Sequence, residues 1–432
     1  MTYEETLAKI FALHRFQKVP GLAHLRSLLH ILGDPQERLS FVHVAGTNGK
    51  GSTSTMIASM LRKSGYRTGL FVSPFVTDFC ERIQLNNRPI SHRNLAQAAE
   101  EVFPPLLKLE QSGQEISEFE AITALALYWF AQQACEVVVL EVGLGGRLDA
   151  TNVIRAPLCA VLTHISYDHT EILGNTLTQI ATEKCGILKE GCEVVTAAGQ
   201  DSEALAVIRR TAQERHCRLT ETDPALLQVA QETLTGTRML YGTELLEMSL
   251  LGAYQVTNAA AALTCAQVLR TRKGLCRMTK ASVAAGLAAA RMPARFEVVS
   301  RRPLVVIDGA HNPDGARALA ESLRRYLPGK HLVALTGMCA DKDTAHFVQT
   351  LAPLFAQAVT LSIQNPRTLQ AEALAALWRR AGVETHTGSY AAQALAYAVQ
   401  LAGADGAVVV CGSLYFAGEL RPIALEMLPL LR

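Results

Sequence analysis

A glycine-rich loop near the start of the sequence constrains the fold more than any other feature. Residues 41–44 are apolar enough for a buried strand, and a helical pattern begins at Ser52. Between them lies the loop Gly46-Thr47-Asn48-Gly49-Lys50-Gly51-Ser52. Glycines let backbone N–H groups surround an anion, and a helix N-terminus adds partial positive charge. We expect Lys50 to reach terminal phosphates and Ser52 to bind Mg²⁺, so the loop predicts a nucleoside triphosphate site.

The loop departs from the common pattern Gly-x-x-x-x-Gly-Lys-[Ser/Thr]. Val44 stands where the first glycine would be, and Gly51 separates Lys50 from Ser52. A plain glycine-rich turn is therefore an alternative interpretation. Taken alone, the loop fits a kinase or a nucleotide-dependent switch as well as any other enzyme that uses a triphosphate.

Short apolar runs without polar alternation recur along the chain, separated by helical spacing. Such runs are typical of parallel strands that helices cover on both faces. One series occupies residues 41–44, 137–140, 159–162 and 193–195, and a second occupies residues 304–307, 331–335, 358–361 and 407–410. We therefore predict an α/β fold with a larger domain at 1–296, built on a parallel-rich central sheet, and a smaller α/β domain at 297–432.

Composition and charge exclude several classes of protein. A formal net charge of +2, with Lys and Arg spread along the chain, does not predict a nucleic-acid partner. The start lacks the basic and apolar segments of a secretory signal, and polar residues interrupt the apolar stretches, so we expect a cytoplasmic protein without a membrane partner. None of the ten cysteines forms a Cys-x-x-Cys pair, which favours buried free thiols over disulfides.

Polar side chains follow three further predicted strands, where ligands gather in open parallel sheets. Glu141 ends one strand and is expected to bind Mg²⁺, and His169 follows the next strand. In the second domain, Asp308 is the first residue of the cluster 308–313. Asp308 is expected to accept hydrogen bonds from ribose hydroxyls, and His311 is expected to approach a phosphate. Each assignment has an alternative. Glu141 could be a structural carboxylate that caps its loop, His169 an ordinary loop histidine, and the cluster 308–313 a simple turn.

These segments together resemble the folylpolyglutamate synthase/dihydrofolate synthase branch of the Mur ligase superfamily. The resemblance covers nearly the whole chain and rests, in order, on Pro20-Gly21-Leu22, 43–53, 71–75, 141–152, Asp168-His169, 183–187, Asn258, Arg295, 308–313, 337–343 and 411–413. It implies a P-loop mononucleotide-binding domain and a smaller Rossmann-like C-terminal domain, with ATP bound between them and domain closure as part of assembling the site.

The resemblance also implies a role for each site residue. It implies an ATP-binding set of Gly46, Thr47, Asn48, Gly49, Lys50, Gly51, Ser52, Asn258, Arg295, Asp308 and His311. It implies Ser52, Ser73, Glu141 and His169 as Mg²⁺ ligands, and Arg82, Phe119, Asp149 and Ala150 as substrate contacts. Lys50, Lys184 and His169 are the implied catalytic residues, and Lys184 matches a lysine that carries a carbamate, an anion that helps to bind metal.

The implied enzyme is an ATP-dependent, ADP-forming carboxylate–amine ligase that acts as a monomer on small molecules. It adds L-glutamate to reduced folates and to dihydropteroate through an acyl phosphate. Whether the enzyme has only one of these two activities or both is left open by the sequence. Two alternatives also remain. Another Mur-type amino-acid ligase is expected to need a separate N-terminal domain, for which the 45 residues before Gly46 are expected to be too few. A non-ligating nucleotide switch would not require Lys184 and the cluster 308–313 together.

Overall fold

The computed structural model describes residues 1–14 and 21–431, so Pro20 of the first matching segment lies outside the described residues. The helices are α1 (Tyr3–Ala12), α2 (Ala23–Ile31), α3 (Lys50–Lys63), α4 (His92–Gln111), α5 (Glu118–Gln132), α6 (Thr170–Leu173), α7 (Leu177–Cys185), α8 (Ser202–Glu214), α9 (Gln255–Arg272), α10 (Lys280–Ala289), α11 (Pro313–Tyr326), α12 (Thr344–Leu351), α13 (Ala371–Arg380), α14 (Ala391–Ala402) and α15 (Leu414–Met427).

The strands alternate with these helices along most of the chain, as the predicted α/β fold requires. They are β1 (Phe41–Ala45), β2 (Thr68–Phe71), β3 (Ile83–Leu85), β4 (Arg88–Pro89), β5 (Val137–Glu141), β6 (Cys159–Leu162), β7 (Glu193–Thr196), β8 (Arg218–Glu221), β9 (Leu227–Thr233), β10 (Gly236–Tyr241), β11 (Glu244–Met248), β12 (Glu297–Arg301), β13 (Leu304–Ile307), β14 (Leu332–Thr336), β15 (Gln357–Thr360), β16 (Glu384–Thr387) and β17 (Ala407–Cys411).

The larger sheet has the strand order β4-β3-β2-β5-β1-β6-β7-β8. The six strands from β2 to β8 in this order run parallel, and β3 and β4 add an antiparallel edge. Every residue of β1, β2, β5, β6 and β7 is buried, because helices cover the sheet. Val138 and Leu140 pack into a core shared with α4 and α5, while α3 also packs against β5.

The strand register brings four chain segments to one edge of this sheet. Val44 is level with Glu141, Ala45 with Leu162, and Phe71 with Leu140. The carboxyl ends of β1, β2, β5 and β6 therefore lie side by side. This is the edge at which open parallel sheets bind ligands.

The smaller sheet has the strand order β12-β13-β17-β14-β15-β16, in which β12 is antiparallel to β13 and the other neighbours are parallel. Its core includes Phe347 and Trp378, both fully buried. A mostly parallel sheet between helices is the Rossmann-like arrangement, so the predicted fold class is confirmed for both sheets.

The chain divides into two compact units that are discontinuous in sequence. The first unit comprises Met1–Gln228, Tyr241–Leu246 and Thr257–Ala290, and the second comprises Val229–Leu240, Glu247–Val256 and Arg291–Arg432. Parts of the three-stranded sheet β11-β10-β9 join the second unit because they contact α11: the Thr237 hydroxyl lies 3.3 Å from that of Tyr326. The functional boundary predicted after residue 296 stays a prediction.

Two further sequence-based expectations concern cysteines and membranes. All ten cysteines are free, and they are buried except for the half-buried Cys217 and the exposed Cys276. Across residues 1–14 and 21–431, none of the helices has both the length and the apolar character that a membrane span requires.

Candidate active site

The glycine-rich loop joins β1 to α3, as predicted, but α3 begins at Lys50 and not at the predicted Ser52, so the end of the loop is helical. Gly46 has a φ of 153° and Gly49 a φ of 87°, both in the region that favours glycine. A Cβ at Gly46 would collide with the Thr163 hydroxyl, and a Cβ at Gly49 would collide with the Asn258 side chain. Both positions therefore require glycine, and the close approach brings Asn258 of α9 directly against the loop.

The segment after β6 holds the first half of the loop. Thr47 and Asn48 both donate their backbone N–H to His164 O, at 2.8 and 3.2 Å, and the Thr47 hydroxyl donates to Ser166 O at 2.9 Å. These two N–H groups therefore serve the loop's own structure. We therefore expect an anion to bind at the first turn of α3, ahead of the hydrogen bond from Thr53 N to Gly49 O.

Two lysines meet at the loop. Lys50 Nζ donates to Gly46 O and Thr47 O, both at 3.1 Å, and Lys184 Nζ donates to Gly46 O at 2.9 Å. Lys184 is only 4 % exposed, and its burial, together with the charge of Lys50, lowers its pKa to about 7, against the opposing effect of Asp168. A large share of Lys184 is therefore neutral at physiological pH.

Some of the predicted Mg²⁺ ligands lie at the carboxyl-end edge of the larger sheet. Glu141 is buried at the end of β5, and its Oε2 accepts a hydrogen bond from Ser73 N at 3.0 Å. Ser52 is buried in the first turn of α3. These oxygen donors fit the preference of Mg²⁺, whereas an imidazole suits softer metals better. His169 is half-exposed, with its Nε2 3.9 Å from Asp168 Oδ1, and its role as a Mg²⁺ ligand stays a prediction.

Three of the four predicted substrate contacts are neighbours. A Cβ on Gly143 would lie 2.6 Å from the Phe119 ring and 3.1 Å from Asp149 Oδ2, so both side chains flank this glycine. Asp149 also caps the short 3₁₀ helix that begins at Ala150. Arg82 belongs to a different segment: its guanidinium lies over the ring of Phe75 at 5.2 Å.

A buried hydrogen-bond chain behind Asp149 was not predicted from the sequence. The Thr151 hydroxyl donates to Asp149 Oδ1 at 2.5 Å, and His43 Nε2 lies 2.8 Å from that hydroxyl. Because burial lowers the pKa of His43 to about 3, its ring is neutral, and Nε2 carries the hydrogen that it donates to Thr151. Burial raises the pKa of Asp149, while hydrogen bonds from Thr151 and Leu144 oppose the rise. The only sequence signal was a histidine inside an apolar strand.

The second unit gathers three predicted nucleotide contacts. Asp308 is buried, and it accepts hydrogen bonds from Tyr254 Oη at 3.1 Å and from Phe296 N and Ala310 N at 2.8 Å each. Burial raises the pKa of Asp308, and the charge of Arg295 opposes that rise. The Asp308 carboxylate therefore organises its own unit, whatever else it binds.

Arg295 and His311 both approach the backbone of Gly309 in the same cluster. A Cβ on Gly309 would lie 2.7 Å from Arg295 Nη1, so the guanidinium passes close to the backbone. His311 Nδ1 lies 2.8 Å from Gly309 O, and because a carbonyl only accepts, Nδ1 carries a hydrogen. This hydrogen bond orients the ring of His311 and fixes its tautomer when neutral.

Comparisons with known proteins show the family of the chain. Residues 44–266 match the model of the "Mur ligase middle domain", and residues 294–414 match "Mur ligase, glutamate ligase domain". The chain is 34 % identical to "Dihydrofolate synthase/folylpolyglutamate synthase" of Bacillus subtilis, over 97 % of this chain and 98 % of that protein. It is 38 % identical to "Probable bifunctional folylpolyglutamate synthase/dihydropteroate synthase" of Haloferax volcanii, over 98 % of this chain but only 50 % of that longer protein.

A solved structure has the same fold over nearly the full length. The folylpolyglutamate synthase of Mycobacterium tuberculosis, solved in complex with ADP and AMPPCP, is similar with a TM-score of 0.87. The two sequences are 30 % identical, and the similarity covers 98 % of this chain and 99 % of that one. The likeness therefore includes both sheets.

Proposed function

The chain belongs to the folylpolyglutamate synthase/dihydrofolate synthase branch of the Mur ligase family, and from that membership we propose how its residues carry out the reaction. It is an ATP-dependent ligase that adds L-glutamate to folates. We further propose that it adds the first glutamate to dihydropteroate, because the Bacillus subtilis relative has both activities in its name. Its predicted cytoplasmic location and monomeric state stay predictions.

The observation that carries the proposal is the meeting of Lys50 and Lys184 at Gly46 O, beside the N-terminus of α3. Positive charge and helix N–H groups at one point suit the terminal phosphates of ATP. The substrate carboxylate attacks the γ-phosphorus, which gives an acyl phosphate and ADP. The glutamate amine then attacks the acyl carbon, and the tetrahedral intermediate collapses to an amide and phosphate. Lys50 neutralises charge that develops during the first step.

Mg²⁺ is the proposed metal, and Ser52, Ser73, Glu141 and His169 are its proposed ligands. When bound, it neutralises phosphate charge. The hydrogen bond from Ser73 N holds Glu141 Oε2, so the carboxylate is oriented before any ligand arrives. Glu141 therefore does not have to be ordered at the moment of binding.

Lys184 is the proposed site of a carbamate. A neutral amine forms an N–C bond with CO₂ and loses one proton to solvent, which leaves a carbamate whose negative charge lies on its two oxygens. Its pKa of about 7 supports this step, because the neutral form is already populated. With ¹³C-labelled bicarbonate, we expect one carbamate signal in the carbon NMR spectrum of the wild type and none from Lys184→Gln. An unlabelled wild-type protein would contradict this part of the proposal.

Substrate recognition is proposed for Phe119, Asp149 and Ala150. An aromatic face beside a carboxylate suits a planar heterocycle that carries N–H donors, which is the chemistry of a pterin. Arg82 is proposed to meet an anionic part of the substrate. For the nucleotide, we propose that Asn258 contacts the adenine side and that Arg295, Asp308 and His311 contribute from the second unit.

A substrate panel tests the proposed function. ADP release is measured at fixed ATP and L-glutamate with dihydropteroate, with tetrahydrofolate and with its derivatives, and the products are identified by mass spectrometry. We expect release to require both glutamate and a pterin substrate, with a mass gain of one glutamate. Release that is independent of both substrates would favour the nucleotide switch. Ligation that needs a nucleotide-linked sugar would favour another Mur-type ligase.

A further inference from the structure

A cluster of three metal-binding side chains lies outside the site described above. Among the residues that the structure describes, Asp78, Cys80 and His92 are the one group of three or more His, Cys, Asp or Glu side chains whose donor atoms all lie within 4.8 Å of one another. Asp78 and Cys80 belong to one tight turn, and His92 is the first residue of α4. Two separate segments of the first unit therefore meet at this point.

Neighbouring groups orient the donors toward each other. Cys80 N donates to Asp78 Oδ1 at 2.7 Å, which turns Asp78 Oδ2 toward His92 Nε2, 3.1 Å away. The ring of Tyr3 stacks on the ring of His92, with centroids 3.7 Å apart and an angle of 1° between the planes. The carboxylate and the imidazole are thus held by contacts other than the one between them, as the supporting shell of a metal site requires.

The identity of the donors selects the class of metal. A thiolate, an imidazole and one carboxylate oxygen together suit Zn²⁺, which binds three such protein ligands and one water in open tetrahedral sites. Hard Mg²⁺ prefers oxygen donors alone. The Asp78 and His92 side chains are 42 % and 56 % exposed, so an ion and its water ligand have access, while Cys80 is buried beneath them.

We propose that Asp78 Oδ2, Cys80 Sγ and His92 Nε2 form a second metal site, which binds one Zn²⁺. On binding, the Cys80 thiol loses its proton to solvent, and His92 ligates the ion through an Nε2 that carries no hydrogen. The hydrogen bond between His92 and Asp78 is the metal-free state of the site. The ion would tie the turn at 78–80, which lies between Ser73 and Arg82, to the start of α4.

Cobalt substitution tests the proposal without relying on enzyme activity. The full-length protein is treated with chelator and titrated with CoCl₂ in the absence of nucleotide. A Co²⁺–thiolate bond gives a charge-transfer band in the near ultraviolet, which oxygen and nitrogen ligands do not give. We expect one equivalent of Co²⁺ to produce this band and ZnCl₂ to abolish it by displacement. A wild type without the band would overturn the proposal.

Matched variants identify the ligands. Cys80→Ser is expected to lose the band, and His92→Gln, at an exposed helix start, is expected to weaken binding by at least about tenfold. Cys276→Ser removes the exposed thiol and is expected to bind Co²⁺ as the wild type does. A band that survives in Cys80→Ser, or disappears in Cys276→Ser, contradicts the assignment. Thermal unfolding of each metal-free variant checks that the first unit is intact.

Discussion

The glycine-rich loop and the Asp308 cluster hold their charged groups in opposite ways. In the first unit, the Lys50 cation and the largely neutral Lys184 amine donate to backbone carbonyls. In the second unit, the Asp308 carboxylate accepts from Tyr254 and from backbone N–H groups. A cation held by neutral carbonyls keeps its net charge for a phosphate, whereas a buried carboxylate with several donors also supports the fold. We therefore expect substitutions to reduce turnover in the first region and stability in the second.

The largest expected effect is the loss of turnover in Lys50→Ala. Removing a cation that neutralises transition-state charge is expected to lower kcat about 100- to 1000-fold. Lys50 is only half-buried, so the thermal unfolding of the variant is expected to stay close to that of the wild type. ADP release and circular dichroism measure the two quantities. Lys63→Ala, at the exposed far end of the same helix, is the control, and undiminished ligation by Lys50→Ala would show that the loop does not act as proposed.

Asp308→Ala is expected to destabilise the second unit by about 3 kcal/mol, because three buried donors lose their acceptor. Tyr254→Phe removes one donor alone and is expected to cost about 1 kcal/mol. Urea unfolding is followed by Trp378 fluorescence in a Trp129→Phe background, since the chain contains two tryptophans, one in each unit. If Asp308→Ala unfolded at the same urea concentration as its parent, the contrast between the two regions would fail.

The sequence predicted best those features that depend on neighbouring residues. Continuous apolar runs identified the parallel strands, and the glycine-rich loop indicated the presence of α3, although the helix begins at Lys50 and not at Ser52. Contacts between distant residues left no such signal. His43 meets Thr151 across 108 residues, and Tyr254 meets Asp308 across 54 residues. Contacts between distant residues also explain why the two units are discontinuous in sequence. The strand that contains Thr237 packs against Tyr326, which lies 89 residues later in the chain.

The buried Lys184 predicts a pH dependence of stability. Its pKa is about 7 in the folded protein and 10.5 ordinarily, so between these values the unfolded chain binds more protons. The free energy of unfolding should therefore rise with pH across this window, by about 1.4 kcal/mol per unit from this residue alone. In CO₂-free buffer, Lys184→Met should lose this slope, and Lys63→Met should retain it. Urea unfolding of the first unit, followed by Trp129 fluorescence, measures the difference; equal slopes would mean that Lys184 is charged when folded.

The smallest expected effect concerns Asp149, the first unit's own buried carboxylate. Thr151→Val removes the hydroxyl that donates to Asp149 Oδ1 and accepts from His43 Nε2. Since one hydrogen bond contributes about 1 kcal/mol, KM for the pterin substrate is expected to rise about fivefold while KM for ATP stays unchanged. Thr222→Val is the control, because among the described residues that buried hydroxyl has no hydrogen-bond partner. An equal rise in both KM values would mean that Thr151 supports the whole edge of the sheet. Asp149 would then have a mainly structural role, as Asp308 has in the second unit.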